Sequence, residues 1–276
     1  MSKRIRGRKD HYLPQGYLRG FIDPSQTMED KPLWWFQVPH NKWKRCSTAE
    51  VGFIRGFYDY SKHVDSSVQT ADEAFAELER NYTLVLKELL ANQFSNWLSH
   101  RNFLLRYMQM IRVRSPLFFE QKLSAAKNTP AWVIEEISED RKSVKVRSTE
   151  LKEPFIKNRT LTEMREELKK GVDYLDNFDW AIRYCETSGD FFFTSDSPFV
   201  ATGPVTGQDQ VIRPDALQHA DTLLYFPLCW QACILGSPHH FDIKTDRATP
   251  QLIQIVQQMY RANAKSYLIS PVKLDD

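Results

Sequence analysis

Gly189-Asp190-Phe191-Phe192-Phe193-Thr194-Ser195-Asp196-Ser197-Pro198 is the segment around which we expect the chain to fold. Three consecutive phenylalanines are typical of a strand that is buried on both faces. Because small polar residues and then a proline follow at once, the strand should end there. Alternation of side chains would put Asp196 on the face of Phe192 and Thr194, where the strand meets a loop. Thr194, Ser195 and Asp196 then either close a turn by bonding nearby amides or carry a function, and both interpretations stay open.

The composition predicts a folded intracellular protein with a substantial core. Of 276 residues, 42% are hydrophobic, 13% aromatic and 26% charged, which is ordinary for a soluble domain. No apolar run approaches the roughly 18 to 20 residues of a bilayer span, and the amino terminus lacks the apolar part of a secretory signal. We therefore expect a cytoplasmic location and no membrane partner. The four cysteines follow no metal-binding spacing, which favours reduced, buried thiols.

The positive charge is concentrated at the amino terminus. Residues 1–9 carry five cationic side chains, and the net charge of +2 becomes −3 without them. We predict that residues 1–9 form a basic, disordered tail and that residues 10–276 form one domain. Lys3 and Arg4 would then contact nucleic-acid phosphates, unless the tail only keeps the protein in solution.

Hydrophobic periodicity and capping signals predict an alternation of helices and strands. We expect four helices. Two start at capping boxes, at Thr70 and at Thr160, one runs over residues 95–112, and the last follows an N-cap at Thr249. The expected strands cover residues 33–38, 42–46, 132–137, 143–147, 180–185, 191–194, 222–226, 231–235 and 266–270. Helices cluster in the middle and strands towards the end. This order indicates an α+β fold, in which central helices pack against a mixed or antiparallel sheet in a single large domain.

Three charged positions on the predicted helices should lie at or near the apolar faces. Glu79 lies at the border of the apolar stripe of the first helix, so it is either the partner of an arginine or a catalytic or ligand-binding group. Arg101 and Arg112 lie near the apolar face of the second helix and need anionic partners, which Glu79 or Asp196 could supply.

Several common catalytic signatures are missing from the sequence. It has no Gly-rich phosphate loop, no GxSxG elbow, no HExxH helix and no paired CxxC knuckles. The sequence therefore does not favour the P-loop and Rossmann classes.

The segment His11-Tyr12-Leu13-Pro14-Gln15, followed by Tyr17-Leu18-Arg19-x-Phe21, resembles the opening signature of a mainly prokaryotic family. That family is the domain-of-unknown-function family numbered 4238. The similarity continues through the Trp/Phe hairpin, Phe57-Tyr58, Glu73 and Glu79, Phe193 to Pro198, Phe226-Pro227-Leu228, and Asn263 to Ser270. One departure is Asp10-His11, where the family often has two histidines. The resemblance implies an architecture and candidate residues, but no reaction.

Our first hypothesis is metal-assisted hydrolysis of phosphodiesters by a nuclease-like enzyme, used in defence or as a toxin. Glu79 and Asp196 would hold Mg²⁺ or Mn²⁺, which polarises a phosphoryl oxygen and activates water. His11 would act as acid or base, and Gln15 would orient a ligand. The remaining substrate-binding residues in this hypothesis are Arg112, Arg114, Thr194 and Ser195, with Lys3 and Arg4 of the tail.

The alternative is a non-catalytic binding or regulatory protein whose polar motifs are structural. His11 and Gln15 would then anchor the amino-terminal segment, and Asp196 would close its turn or bond an arginine. An enzyme of another chemistry also remains open, because α+β pockets host many reactions. Under every hypothesis we expect the first dozen or so residues to fold back against the end of the triple-phenylalanine segment.

Overall fold

The structure, a computed structural model, describes residues 9–22, 31–59, 71–128, 131–137, 144–149, 153–170, 172–186, 189–202 and 221–274. Its helices are α1 Gln15–Arg19, α2 Ala71–Ala91, α3 Arg101–Arg114, α4 Pro116–Lys127, α5 Glu153–Lys169 and α6 Pro250–Asn263. Its strands are β1 Lys9–His11, β2 Leu33–Gln37, β3 Lys42–Cys46, β4 Phe53–Arg55, β5 Ala131–Ile137, β6 Val144–Thr149, β7 Asp179–Tyr184, β8 Thr194–Ser195, β9 Val200–Thr202, β10 Leu223–Cys229, β11 Ala232–Ser237, β12 Thr245–Arg247 and β13 Tyr267–Ser270. Residues 1–8 of the predicted tail and the predicted cap at Thr70 lie outside the described residues.

Two larger sheets organise the fold. One is antiparallel with the order β3-β2-β13-β8, and the other has the order β12-β7-β11-β10-β9, in which only β12 and β7 are parallel. The pairs β1-β4 and β5-β6 form separate two-stranded sheets. Helices α2, α3 and α5 pack on one another, and α1 contacts both α2 and β10. The predicted α+β class, with central helices against mixed and antiparallel sheets, is confirmed.

The triple-phenylalanine segment is buried, but it is not the strand that we predicted. Only Thr194 and Ser195 form β8, and the preceding phenylalanines have no strand pairing. Phe192 and Phe193 both pack into one hydrophobic cluster beneath α6, although a strand would send them to opposite faces. The backbone amide of Phe192 donates to the carbonyl oxygen of Trp230 at 2.7 Å instead.

The helices differ from the prediction at three places. The helix that we predicted over residues 95–112 begins at Arg101, after a separate 3-10 turn at Trp97–His100. Helix α5 begins at Glu153, so Thr160 is not its cap but an interior residue whose hydroxyl donates to the carbonyl oxygen of Ile156 at 2.9 Å. A threonine inside a helix can satisfy its hydroxyl in this way, which the capping-box pattern does not reveal. Helix α4 was not predicted, although its start carries a clear signal. Ser115 accepts a hydrogen bond from the amide of Phe118 at 3.2 Å, and Pro116 occupies the first helical position.

Other local predictions are confirmed. The β2–β3 hairpin turns through residues 38–40 into Asn41, which has a left-handed backbone with a φ of 47°. Thr249 caps α6 by accepting a hydrogen bond from the amide of Leu252 at 3.2 Å. All four cysteines are buried and unpaired. No helix in the described part of the chain combines the length and the apolar character that a bilayer span requires.

Candidate functional site

The amino-terminal motif is held in place by a short strand and a glycine. Strand β1 pairs with β4, so that His11 lies opposite Phe53. Gly52, with a φ of +73°, then accepts hydrogen bonds at its carbonyl oxygen from the amides of Tyr12 and Leu13, at 2.9 and 3.1 Å. A β-carbon at Gly52 would lie 2.9 Å from the β-carbon of Leu13, so both the backbone conformation and the space require glycine.

The motif reaches the end of the triple-phenylalanine segment through Tyr17. The Tyr17 hydroxyl donates to the carbonyl oxygen of Pro227 at 2.8 Å and lies 3.0 Å from Oγ1 of Thr194, which then donates to it. Nearby, the hydroxyls of Tyr12 and Tyr267 are hydrogen-bonded to each other. Tyr17 of α1 therefore lies against the end of the triple-phenylalanine segment and Tyr12 against β13, whereas residues 1–8 of the expected contact lie outside the described residues.

Arg114 is the charged centre of the site. Its side chain is only 1% exposed, whereas that of Glu79 is 33% exposed, and the two form an ion pair. A second guanidinium nitrogen of Arg114 donates to the backbone carbonyl of His11, and Nε donates to the Tyr58 hydroxyl at 3.1 Å. The amide of Tyr58 donates to the carboxylate of Asp10 at 3.1 Å. Arg114 thus connects α3 with α2, with β1 and with the segment that follows β4, and Glu79 is its counter-ion.

Two buried polar atoms beside Arg114 make no hydrogen bond with the described residues. They are Nε2 of His11 and the hydroxyl of Tyr107. Burial, with Lys9 and Arg114 nearby, lowers the pKa of His11, so its imidazole is neutral at pH 7. Burial also raises the pKa of Tyr107 well above its usual value, with the Glu79 carboxylate adding to the effect. The site therefore presents an uncharged imidazole and an un-ionised phenol.

Gln15 binds the neighbouring loop. Its Oε1 accepts a hydrogen bond from the hydroxyl of Thr48 at 3.3 Å, and the backbone of Thr48 also bonds the His11 ring. Both residues therefore anchor the amino-terminal segment to the loop between β3 and β4.

Asp196 binds a turn that is distant in sequence, whereas we expected it to close its own turn, to bond an arginine or to carry a function. Its carboxylate oxygens accept hydrogen bonds from the amides of Lys265 and Ser266 at 3.2 and 2.8 Å, in the connection between α6 and β13. Burial raises the pKa of Asp196, and the two amides oppose that rise. Next to it, the Ser195 hydroxyl accepts a hydrogen bond from the amide of Ser197 at 3.1 Å. Ser195 thus stabilises the turn that follows β8, and Asp196 stabilises the connection that precedes β13.

The arginines on α3 find other partners than we predicted. Arg101 pairs with Asp176 at 3.3 Å, and Arg112 lies 3.8 Å from the carboxylate of Glu167. These carboxylates come from α5 and the turn after it, which pack beside α3, whereas the sequence analysis offered only Glu79 or Asp196. Arg112 also donates to Oε1 of Gln109 at 3.0 Å. The predicted tail residues Lys3 and Arg4 lie outside the described residues.

The polar role of the tyrosines was not predicted from the sequence. Tyr17, Tyr58 and Tyr82 each donate a hydrogen bond from the hydroxyl to a buried backbone carbonyl. Tyr82 bonds the carbonyl of Leu228 and stacks on Tyr107 with ring centroids 3.9 Å apart. The available signal was the use of tyrosine where phenylalanine would fill the same space, because a buried phenol needs a hydrogen-bond partner.

The donor atoms of the predicted metal site are already engaged. Glu79 binds a guanidinium group and Asp196 binds two backbone amides. Among the described residues, no group of three or more His, Cys, Asp or Glu side chains is arranged to hold a metal ion. In this conformation the two carboxylates do not form a fitting donor set for a hard cation.

A second charged region lies on β2, β3 and the carboxyl-terminal part of the chain. Residues 32–46 and 250–274 contain no aspartate or glutamate. They carry six basic side chains, namely Lys42, Lys44, Arg45, Arg261, Lys265 and Lys273. Because β2 pairs with both β3 and β13, one sheet joins these two stretches. We call the set of six the basic surface.

Comparison with known proteins gives a family and nothing narrower. A family model described as a protein of unknown function, DUF4238, matches residues 9–272. Searches of the curated proteins and of the solved structures found no match. Because the family model spans nearly the whole chain, the protein belongs to the DUF4238 family of proteins of unknown function.

Proposed function

We propose that the protein is a non-catalytic binding protein that takes up single-stranded nucleic acid on its basic surface. The observation that carries this proposal is the separation of charge. Three of the six cationic side chains lie on β3, one lies on α6 and two flank β13, on stretches that contain no acidic residue. Clustered Lys and Arg side chains attract the phosphate backbone, and interleaved aromatic rings favour unpaired bases.

Aromatic rings do accompany these cations. The guanidinium group of Arg45 lies 5.0 Å from the ring centre of Trp34, its cross-strand neighbour. Lys42 and Lys44 are exposed on the edge strand β3. Alternation along β3 places Lys42 and Lys44 on the other face of the hairpin from Arg45 and Trp34, at the same edge of the sheet. Cations and aromatic rings at one sheet edge supply charge and stacking, which are the two terms of sequence-independent binding to single strands.

The non-catalytic part of the proposal is supported by the partners of the motif residues. Glu79 neutralises Arg114, Gln15 bonds Thr48, and Asp196 bonds the amides before β13. Groups engaged in this way stabilise the packing of the chain. Catalysis would instead need them to converge on a shared cavity.

The test is a binding titration by fluorescence anisotropy with a labelled twelve-nucleotide single strand at several salt concentrations. We expect the double variant Lys42→Gln/Lys44→Gln to bind more weakly. The salt slope, which is the slope of the logarithm of the binding constant against the logarithm of the salt concentration, should fall in magnitude by about 1.4, at roughly 0.7 for each lost phosphate contact. The matched control is Lys169→Gln/Lys170→Gln, an exposed lysine pair at the end of α5 that pairs with Glu166 and Glu167. Absence of binding by the wild type, or equal weakening in the control, would contradict the proposal.

A second candidate function, hydrolysis of a phosphodiester, is favoured by the two unpartnered atoms beside Arg114. A neutral His11 could accept a proton from water through Nε2, and Arg114 could stabilise a developing negative charge. This second candidate function would use Mg²⁺ or Mn²⁺. For Glu79 to bind such an ion, its carboxylate would have to leave Arg114. The test is cleavage of DNA and RNA with either ion by wild type, His11→Ala and Asp196→Ala. Cleavage that both substitutions abolish would support the enzyme, and equal or absent cleavage in all three would remove it.

A further inference from the structure

A pocket of about 350 Å³ opens beside the basic surface, between the β2–β3 hairpin and the end of α6. Its lining residues are Phe36, Val38, Asn41, Trp43, Arg261 and Leu268. The volume lies within the range of small-molecule sites in proteins, which starts at roughly 300 Å³. None of these side chains takes part in the site around Arg114.

The walls of the pocket are two aromatic rings. Phe36 and Trp43 are a cross-strand pair of the β2–β3 hairpin, with ring centroids 5.0 Å apart. Both rings are only partly buried. Leu268 of β13, which is buried, lies on the same face of the sheet because it pairs with Phe36. Two partly open rings over an aliphatic floor offer a flat, apolar ligand a surface to stack on.

One cation lies at the edge of these rings. Arg261 is in the last turn of α6 and is exposed. It makes no ion pair or hydrogen bond with any other residue that the structure describes. A guanidinium group in that position can bind a phosphate with two parallel hydrogen bonds. The pocket therefore combines an apolar cleft with a single anion-binding group.

We propose that this pocket binds one base of the single-stranded nucleic acid, with the ring against Trp43 and Phe36 and the adjoining phosphate on Arg261. The inference rests on the proposed function, because two cations of the basic surface, Arg45 and Arg261, lie on the pocket's side of the sheet. The neighbouring cross-strand pair, Trp34 with Arg45, lies on the same face of the hairpin, two residues further along each strand. A strand that enters the pocket would thus meet aromatic and cationic side chains in succession.

The experiment compares Trp43→Leu and Arg261→Gln with wild type in the same anisotropy titration. We expect Trp43→Leu to weaken binding about tenfold without changing the salt slope, because it removes stacking but no charge. Arg261→Gln should weaken binding and reduce the slope by about 0.7, the share of one phosphate contact. The matched control is Arg106→Gln, an exposed arginine on α3. Trp43→Phe keeps a ring in place and should retain most of the affinity.

The outcomes separate the pocket from the basic surface. If Trp43→Leu and Arg261→Gln bind like wild type while Lys42→Gln/Lys44→Gln binds weakly, the pocket inference is wrong and the proposed function stands. If wild type binds no single strand, both are wrong. Because Arg261 is exposed, its substitution tests the pocket even if Trp43→Leu fails to fold.

Discussion

The hydroxyl oxygen of Tyr17 lies 3.0 Å from Oγ1 of Thr194, although 177 positions separate the two residues along the chain. The same hydroxyl donates to the carbonyl of Pro227. One phenol therefore joins α1, β8 and β10. The Tyr17 ring also contacts the rings of Phe21, Tyr82 and Phe226, so the polar junction is enclosed by aromatic packing.

Replacing Tyr17 by phenylalanine should destabilise the protein by about 1 to 3 kcal/mol, because a buried carbonyl and a buried hydroxyl lose their partner. The measurement is the free energy of unfolding in urea. Tyr184→Phe is the control, since the hydroxyl of Tyr184 makes no hydrogen bond with the described residues. Equal stability of Tyr17→Phe and wild type would show that the junction contributes no net stability.

Replacing Glu79 by alanine should cost about 2 to 3 kcal/mol, somewhat below the value for a fully buried pair because Glu79 is partly exposed. The cost arises because the guanidinium group of Arg114 stays buried without its counter-ion. Glu163→Ala removes a glutamate that is exposed to the same degree but whose partner on α5, Arg159, is 41% exposed, so it should change stability by less than about 0.5 kcal/mol. A loss in Glu79→Ala no larger than in this control would contradict the structural role of Glu79.

Asp196→Asn should change how stability depends on pH. Burial raises the pKa of Asp196 in the folded state, so the folded protein holds this proton at pH values where the unfolded chain has lost it. Wild-type stability should therefore fall as the pH rises from the unfolded value near 3.8 through the raised folded value. The asparagine variant lacks this contribution, so the stability difference between the two proteins should vary across that window. Urea unfolding from pH 3.5 to 7 measures it, and a constant difference would refute the raised pKa.

Deletion of residues 1–8 should weaken nucleic-acid binding and flatten its salt dependence. The deletion removes four basic side chains but leaves Lys9, which belongs to β1. At roughly 0.7 per phosphate contact on a single strand, the slope should change by at most about 3. If affinity and slope are unchanged, the tail takes no part in binding, and the basic surface of the folded part acts alone.

Short-range patterns predicted much of the fold. The β2–β3 hairpin needed only two strand-forming runs around a turn, and α6 needed only Thr249 and Pro250 at its start. The same reasoning failed at Thr160, because an identical threonine can cap a helix or lie inside one. It also failed at Phe191 to Phe193, where burial is real but strand pairing is absent.

The candidate site was predicted less completely, because its contacts depend on distant parts of the chain. The position of Glu79 on the helix border indicated an arginine partner, but which arginine it would be was not decided locally. Arg112 and Arg114 are two residues apart on one helix, so they point in directions roughly 200° apart at about 100° per residue. The packing of α2 against α3 brought Arg114 to Glu79 and left Arg112 facing α5.

The sequence by itself determined the class of the fold, the buried cysteines, the amphipathic helices and the set of polar residues that require partners, because periodicity and capping act over a few residues. Only the tertiary structure decided which partners those residues have. Arg114 and the His11 carbonyl are 103 positions apart, and Asp196 and Ser266 are 70 apart. Each of these bonds forms only after sheets and helices have packed, since a buried polar group accepts whichever donor the completed fold brings within reach.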